Sequence, residues 1–291
     1  MHRAVERAHD VGCDCVQLFT GNPRSFPVGL ANGAGAMRTK KSHQGACPSI
    51  ADEHAARFRT TLIDLKIAHP IAHDSYLINL ASPDDLLWQR SIEAFVIELR
   101  RAEQLGIEYV VTHPGACLET SQRQGLARIA RALDEVHGQT RGLRVRALLE
   151  TTAGQGSSLG WRFEHLADIL AAVRDPDRLG VCVDTCHIFA AGYPLGTLRD
   201  YRATMNRLAA VVGLDRVKAI HLNDSKRELG SRVDRHEHIG AGRLGLRPFQ
   251  YLLNDPRFTH VPMYLETPKG MKDGRDLDVI NLTALRGLVE E

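Results

Sequence analysis

The segment YVVTHP, residues 109–114, decides the fold, because an apolar run rich in β-branched residues ends there on a histidine. Short apolar runs of this kind are typical of the buried strands of a parallel sheet. Five further segments share the pattern of an apolar run that closes on a histidine or a carboxylate. They are PIAHDS (70–75), RALLET (146–151), VCVDT (181–185), AIHLND (219–224) and MYLET (263–267).

The residues that close these runs recur at nearly even spacing, between 34 and 45 residues apart. They are His73, His113, Glu150, Asp184, His221 and Glu266. One strand, one helix and two loops occupy such an interval, and strands that alternate with helices predict a parallel sheet. A (β/α) barrel builds its active site from side chains at the carboxyl ends of successive strands. The spacing therefore predicts an α/β fold of the TIM (β/α)8 type, with six side chains that converge on one point.

The rest of the chain fits the same period but supplies seven strands instead of eight. The residues 16–20 (VQLFT) predict a strand, and the Gly-, Pro-, Ser- and Lys-rich residues 27–50 predict a long loop insertion. Helices are predicted over 2–12, 51–63, 84–105, 120–137, 162–174, 198–212, 246–254 and 276–290. The chain opens on a helix, so the first β-strand of a closed barrel is missing from the pattern. The strand at 16–20 and the last strand should then have unpaired edges.

The bulk composition indicates one soluble globular domain over residues 1–291. A chain of 291 residues is long enough for one large barrel. The net charge of +2 gives no strong basic field. We expect no membrane association and a cytoplasmic location, because no apolar run approaches the length of a membrane span and the N-terminus is charged. The six cysteines show no extracellular spacing and are predicted to be reduced.

The strand-end residues are the ligand types of zinc, manganese or iron, and the set holds no thiolate. One such residue alone would be an ordinary polar side chain at the start of a loop, but six in phase favour a metal site. Two short clusters of residues of the same types support the prediction of a metal site. His187 follows Asp184 by three residues on the turn that leaves the strand. Asp234 and His236, two residues apart, would point the same way from an extended segment, although seen alone they would equally suit a solvated turn.

Longer motifs around these residues resemble those of the endonuclease IV family of apurinic/apyrimidinic (AP) endonucleases. They are HDSYLINL (73–80), THPG (112–115), ETTAGQGSSLG (150–160), VCVDTCHIFAAGY (181–193), IHLNDSK (220–226), GSRVDRHEHIGAG (230–242) and LETPK (265–269). The resemblance implies a TIM barrel that holds three Zn²⁺ ions, with Mn²⁺ as a substitute. It also implies a monomer that acts on double-stranded DNA with abasic sites, in base excision repair. The expected reaction hydrolyses the phosphodiester 5′ to the abasic site and leaves a 3′-hydroxyl and a 5′-deoxyribose phosphate.

The resemblance also implies a role for each metal-type residue. His73, His113 and Glu150 would hold the first zinc, and Glu150 would bridge to a second zinc held by Asp184, His221 and Glu266. His187, Asp234 and His236 would hold the third. Glu150 is the predicted catalytic residue, because two metals that share a carboxylate can share a hydroxide that attacks phosphorus in line. The third zinc would stabilise the leaving 3′ oxygen. Cys186 and His238 lie close in sequence but match no ligand position.

Three residues match positions that contact DNA in the family. Arg24 and Tyr76 would enter the gap at the missing base, where an aromatic ring replaces lost stacking, and Asn22 would support the loop. The alternatives are a solvated cation for Arg24 and a packing residue for Tyr76. Ser25 and Phe26 depart from the family pattern. In the long loop, Arg38, Lys40 and Lys41 would either add phosphate contacts or belong to a disordered insertion.

Other interpretations remain open from the sequence. A metal-dependent sugar isomerase or epimerase uses a similar barrel but has no use for His187, Asp234 and His236. An inactive DNA-binding relative would be expected if the barrel is truly truncated. The position of Met1 near the start of the first family helix suggests a reading frame that begins upstream, and genuine truncation is the alternative. None of the nine expected ligands lies on the missing strand.

Overall fold

A parallel sheet of seven strands organises the protein, which we describe from a computed structural model over residues 1–27 and 49–290. In chain order the strands are β1 (Cys15–Phe19), β2 (Ala68–His73), β3 (Tyr109–Thr112), β4 (Arg146–Glu150), β5 (Leu179–Asp184), β6 (Val217–His221), β7 (Asp224–Ser225), β8 (His236–Glu237), β9 (Met263–Tyr264), β10 (Met271–Lys272) and β11 (Arg275–Asp276). The main sheet has the order β1-β2-β3-β4-β5-β6-β9, and β7 with β8 and β10 with β11 form two small antiparallel pairs.

Helices alternate with these strands, as the sequence pattern predicts. They are α1 (His2–Asp10), α2 (Asp52–Asp64), α3 (Asp85–Leu105), α4 (Gln122–Gln139), α5 (Phe163–Ala172), α6 (Thr185–Ala191), α7 (Leu198–Val211), α8 (Arg247–Leu253) and α9 (Leu277–Arg286). Local signals set their ends. Asp84 accepts a hydrogen bond from the backbone N–H of Leu87 at the start of α3, and Gly106 ends that helix with a φ of 74°.

The core has an outer layer between helices and sheet and a small inner cluster enclosed by the strands. The inner cluster contains Ile71, Val111, Leu148, Cys182, Ala219 and Tyr264. Each of the strands from β2 to β6 contributes one such residue near its carboxyl end, and the residue two positions further along the chain stands above this cluster on the same face. Because the strands are parallel, all of these ends meet on one side of the molecule.

The strands β1 and β9 are the two ends of the seven-stranded sheet, as the strand count predicted. They lie next to each other without ladder pairing, and the Cys15 thiol donates to the carbonyl of Met263 at 3.2 Å. The predicted loop insertion, with Arg38, Lys40 and Lys41, falls almost entirely outside the described residues. Within the described residues five cysteines are unpaired, and no helix has the length and apolar character needed to cross a membrane.

Candidate metal centre

The six strand-end side chains meet at the carboxyl end of the sheet. His73, Glu150, Asp184 and His221 are the last residues of β2, β4, β5 and β6. His113 directly follows β3, and Glu266 stands two residues beyond β9. Strand register aligns the ends, since Asp184 pairs with His221 across β5 and β6. The convergence predicted from the spacing is therefore present in the structure.

Glu150 occupies the centre of this set and is fully buried. Its Oε2 atom lies 3.3 Å from Nε2 of His73 and 3.1 Å from Nε2 of His113. Its Oε1 atom lies 3.0 Å from Nδ1 of His221 and 3.2 Å from Nδ1 of His187. The two oxygens of one carboxylate thus face two separate groups of donors, which is the arrangement a bridging ligand requires.

A second group surrounds His221 and draws on the ends of four strands. Nδ1 of His221 lies 3.4 Å from Oε2 of Glu266 and 3.8 Å from Oδ2 of Asp184. Together with Glu150, these residues offer one ligand atom each, all within 4.8 Å of one another. The same spacing holds for His73, His113 and Glu150.

The third group combines a buried helix with a half-buried segment that leads into β8. His187 lies in the first turn of α6, where its backbone N–H donates to Oδ1 of Asp184 at 2.7 Å. The prediction that His187 lies on a turn is wrong, because Asp184 caps the short helix α6. Nε2 of His187 lies 3.1 Å from Oδ2 of Asp234, and Nε2 of His236 lies 3.3 Å from Oδ1 of Asp234. Asp234 and His236 point the same way, as their spacing predicted.

Cys186 also comes close to Asp184 and His236, within the 4.8 Å that defines a possible metal group. Its thiol nevertheless donates to the carbonyl of Arg235 at 3.8 Å, and burial raises its pKa to about 12. This hydrogen bond engages the thiol with the backbone, in keeping with a residue that matches no ligand position of the family.

Close packing of imidazoles and carboxylates shifts their pKa values in the metal-free protein. Burial alone would lower the pKa of His73, but its hydrogen bond to Glu150 and the charge of Asp74 raise it to about 9. The pKa values of His187 and His221 are also raised against the effect of burial, mainly by neighbouring charges. Burial would raise the pKa of Glu150, yet the charges of His221 and His113 lower it well below its ordinary value. The side chains that could hold a cation are thus the ones with raised histidine pKa values and a lowered carboxylate pKa.

Several buried or half-buried polar residues that the sequence did not single out contact the candidate ligand side chains. The side chain of Asn223 donates to Asp184 at 2.6 Å. Asp74 accepts from the hydroxyl of Thr112 at 2.5 Å and lies 3.4 Å from Nδ1 of His73. Gln17, in β1, donates from Nε2 to Glu266. Its Oε1 atom lies 2.8 Å from Nε2 of His221. The sequence signal for such supporting residues is a polar side chain next to a candidate ligand at the end of a strand. Asn223, two residues after His221 in IHLND, is an example.

The three predicted DNA-contact residues lie in two adjacent loops near the donor groups. Tyr76 is 63% exposed, and its ring lies 5.6 Å from that of Phe19 and 6.1 Å from that of His73, between centroids. Its backbone N–H donates to the carbonyl of Pro23 at 3.0 Å, which joins the two loops. Arg24 is exposed, and its backbone N–H donates to the side chain of Asn22 at 3.0 Å. Tyr76 therefore does not pack in the core, which disfavours the alternative interpretation of that residue.

Comparison with known proteins assigns the family. A family model described as a xylose isomerase-like TIM barrel matches residues 5–281, in agreement with the predicted fold. The probable endonuclease 4 of Chloroflexus aggregans is 49% identical over 276 residues, which cover 94% of this chain and 96% of that protein. The chain belongs to the endonuclease IV family. Membership in the endonuclease IV family, whose members are DNA-cleaving hydrolases, confirms the resemblance seen in the motifs and the class of enzyme that it implies.

Solved structures agree with this assignment. The endonuclease IV of Thermus thermophilus superposes with a TM-score of 0.77 at 33% identity, over 99% of this chain and 93% of that one. A D-psicose 3-epimerase from Clostridium cellulolyticum superposes with a TM-score of 0.64, over 99% of this chain and 93% of that one, but at only 15% identity. The second likeness shows the shared barrel alone.

Proposed function

We propose that the protein is a zinc-dependent AP endonuclease of base excision repair, which hydrolyses the phosphodiester 5′ to an abasic site in duplex DNA. The products would be a 3′-hydroxyl and a 5′-deoxyribose phosphate. One observation carries the proposal: the two oxygens of the buried Glu150 carboxylate face two separate donor groups, with a third group beside them. A bridged multinuclear centre suits phosphodiester hydrolysis, and the family membership supplies DNA as the substrate class.

The donor set fits three divalent ions. His73, His113 and Glu150 would hold one, and Glu150 would share a second with Asp184, His221 and Glu266. His187, Asp234 and His236 would hold the third. Imidazole and carboxylate donors without thiolate suit Zn²⁺ and also accept Mn²⁺. Bound metal ions would supply an acidified water or hydroxide as the nucleophile and would stabilise charge on the phosphodiester and its leaving oxygen.

The protein side chains have complementary tasks. Glu150 fixes the distance between two donor groups, because the carboxylate is held from both sides and has no access to solvent. Tyr76 offers an exposed ring to the gap left by a missing base, and Arg24 offers a cation to a neighbouring phosphate. Asn22 supports the loop through its bond to the backbone of Arg24. We expect a monomer that works on DNA in the cytoplasm, associated with the nucleoid.

Cleavage of a duplex that contains one abasic site tests the proposal. Zinc-loaded protein should cut this duplex and leave the undamaged duplex intact, and chelation should abolish the cut until zinc is restored. Glu150→Gln should lose both cleavage and bound zinc, because it removes the shared charge. Glu103→Gln is the matched control, since Glu103 bonds the backbone of Arg144 and Val145 at the opposite end of the barrel. A Glu150→Gln protein with normal zinc content and cleavage would refute the mechanism.

The sugar-epimerase interpretation rests on fold likeness alone. It gives no role to the group formed by His187, Asp234 and His236, whose side chains nonetheless meet. Metal analysis separates the two, since an epimerase of this type needs one or two ions. The inactive-relative interpretation is tested by the same cleavage assay.

A further inference from the structure

We propose that Asp224 is a positioning residue for the third metal group: it fixes the loop that carries Asp234 and His236 and so sets the metal affinity of that group. The inference rests on the proposed function and extends it to a residue outside the donor set. Among the described residues, no group with metal-ligand spacing includes Asp224.

Asp224 is fully buried and binds four backbone N–H groups with one carboxylate. Its Oδ1 atom accepts from Ser225 at 2.7 Å and from Leu244 at 2.9 Å. Its Oδ2 atom accepts from Gly240 and from Gly242, each at 3.0 Å. Burying a charged carboxylate costs free energy unless hydrogen bonds replace its lost hydration, and these four bonds to Asp224 do so.

These hydrogen bonds attach the chain after His236 to Asp224. The short antiparallel ladder of β7 with β8 attaches the chain around His236 itself. Ser225 pairs with His236 in the antiparallel contact of β7 with β8, and the Lys226 N–H donates to the carbonyl of Arg235 at 2.9 Å. The backbone N–H of Arg243 donates a hydrogen bond to the carbonyl of Ser225 at 2.7 Å. The chain on both sides of His236 is thus attached to the short segment that follows the end of β6.

Gly242 shows how closely the backbone of this loop approaches the Asp224 carboxylate. A Cβ atom at this position would lie 2.4 Å from Oδ1 of Asp224 and 2.4 Å from the carbonyl oxygen of Ser225. No side chain fits there, so a glycine is required for the loop to reach the carboxylate.

The third group needs such an anchor more than the others do. His187 is 2% exposed in its side chain and stands on a helix, whereas Asp234 is 38% and His236 17% exposed. Donors on a free loop would lose conformational entropy when a metal binds, and a loop ordered beforehand avoids that loss. Residues that support metal ligands in this way typically change metal affinity by about 10–100-fold.

Asp224→Asn tests the proposal. Asparagine keeps one oxygen and can accept at most two of the four bonds, while its NH₂ group would face N–H donors. We expect three tightly bound zinc ions in the unsubstituted protein and two in this variant, with zinc affinity at the third group lower by at least about tenfold. In zinc-free protein, the amides of Gly240, Gly242 and Leu244 should exchange hydrogen faster than in the unsubstituted protein.

Asp255→Asn is the matched control. Asp255 is also a buried carboxylate, but it accepts from the Tyr201 hydroxyl at 2.8 Å and pairs with Arg257, away from the donor groups. It should lower stability and keep three zinc ions. An equal loss of zinc in both variants would show a general effect of instability and would overturn the proposal.

Gly242→Ala perturbs the same contact from the other side and serves if Asp224→Asn does not fold. It should give the same selective loss of the third ion. Three zinc ions at normal affinity with unchanged amide exchange, in either folded variant, would overturn the positioning role while leaving the proposed function intact. Fewer than three ions in the unsubstituted protein, or no abasic cleavage, would instead contradict the proposed function.

Discussion

The side-chain amide of Asn223 donates from Nδ2 to Oδ2 of Asp184 at 2.6 Å. Its Oδ1 atom accepts from the backbone N–H of Glu266 at 2.9 Å, and the residue is fully buried. One amide thus fixes the carboxylate that ends β5 and the backbone of the ligand candidate that follows β9. An amide is suited to this place because it carries a donor and an acceptor at once.

We therefore predict that Asn223→Asp lowers zinc affinity at the Asp184 group by about 10–100-fold. An ionised aspartate would place a negative charge against Asp184 and could not donate to it. Competition with a zinc chelator measures the change. Asn254→Asp is the control, since the Asn254 side chain also donates and accepts, but its partners are backbone groups at the ends of α8 and α9. Equal affinities for Asn223→Asp and the unsubstituted protein would contradict the prediction.

The sequence predicted the helices, the seven strands and the strand-end side chains well. The reason is physical: a parallel β/α unit varies little in length, here 34 to 45 residues between strand ends. Its candidate functional side chains also recur at one place, the end of each strand. The partners of Asn223 and Gln17 could not be predicted, because the contacts join strands that are far apart in sequence. The helical setting of His187 was also missed, since α6 spans only Thr185–Ala191 and shows little periodicity.

The raised pKa of His73 predicts how the stability of the zinc-free protein depends on pH. The pKa is about 9 in the folded protein against an ordinary value of 6.5, so the protonated form favours folding. This contribution is fully present below pH 6.5 and is lost as the pH rises through about 9. The melting temperature of chelator-treated protein should fall across this window. His73→Gln should reduce the fall without removing it, because the pKa values of His187 and His221 are raised as well.

The same protonation predicts that zinc binding releases protons, because histidine binds metal only in its neutral form. Titration calorimetry at about pH 7.5 in buffers of different ionisation enthalpy measures the number released. We expect a net release that decreases as the pH approaches 9. A heat of binding that is independent of the buffer would contradict the pKa shifts described for these histidines.

Tyr76→Ala should weaken binding to abasic DNA more than binding to undamaged DNA. The exposed ring can replace stacking at the missing base, a contact worth about 1–3 kcal/mol per base. The expected loss of affinity for the abasic duplex is therefore about 5- to 150-fold, with zinc content unchanged. Ile63→Ala is the control, as Ile63 is 76% exposed near the end of α2, at the other end of the barrel. Equal weakening on both duplexes would assign Tyr76 a general role in binding and not a role in recognising the lesion.

Leu148 and Gly180 should be energetically coupled beneath the candidate metal centre. They pair across β4 and β5, and a Cβ atom on Gly180 would lie 2.7 Å from Cδ2 of Leu148. Leu148 is fully buried in the inner cluster, so Leu148→Ala should cost about 2–5 kcal/mol of unfolding free energy. Gly180→Ala should overpack the same space in the unsubstituted protein, at about 1–3 kcal/mol. In the Leu148→Ala background the added methyl group finds room, although Lys218 and the carbonyl of Arg216 remain near.

Urea unfolding of the four proteins should give a coupling of about 0.5–3 kcal/mol that favours the double variant over the sum of the single losses. Additive losses would show that the two residues do not share this space.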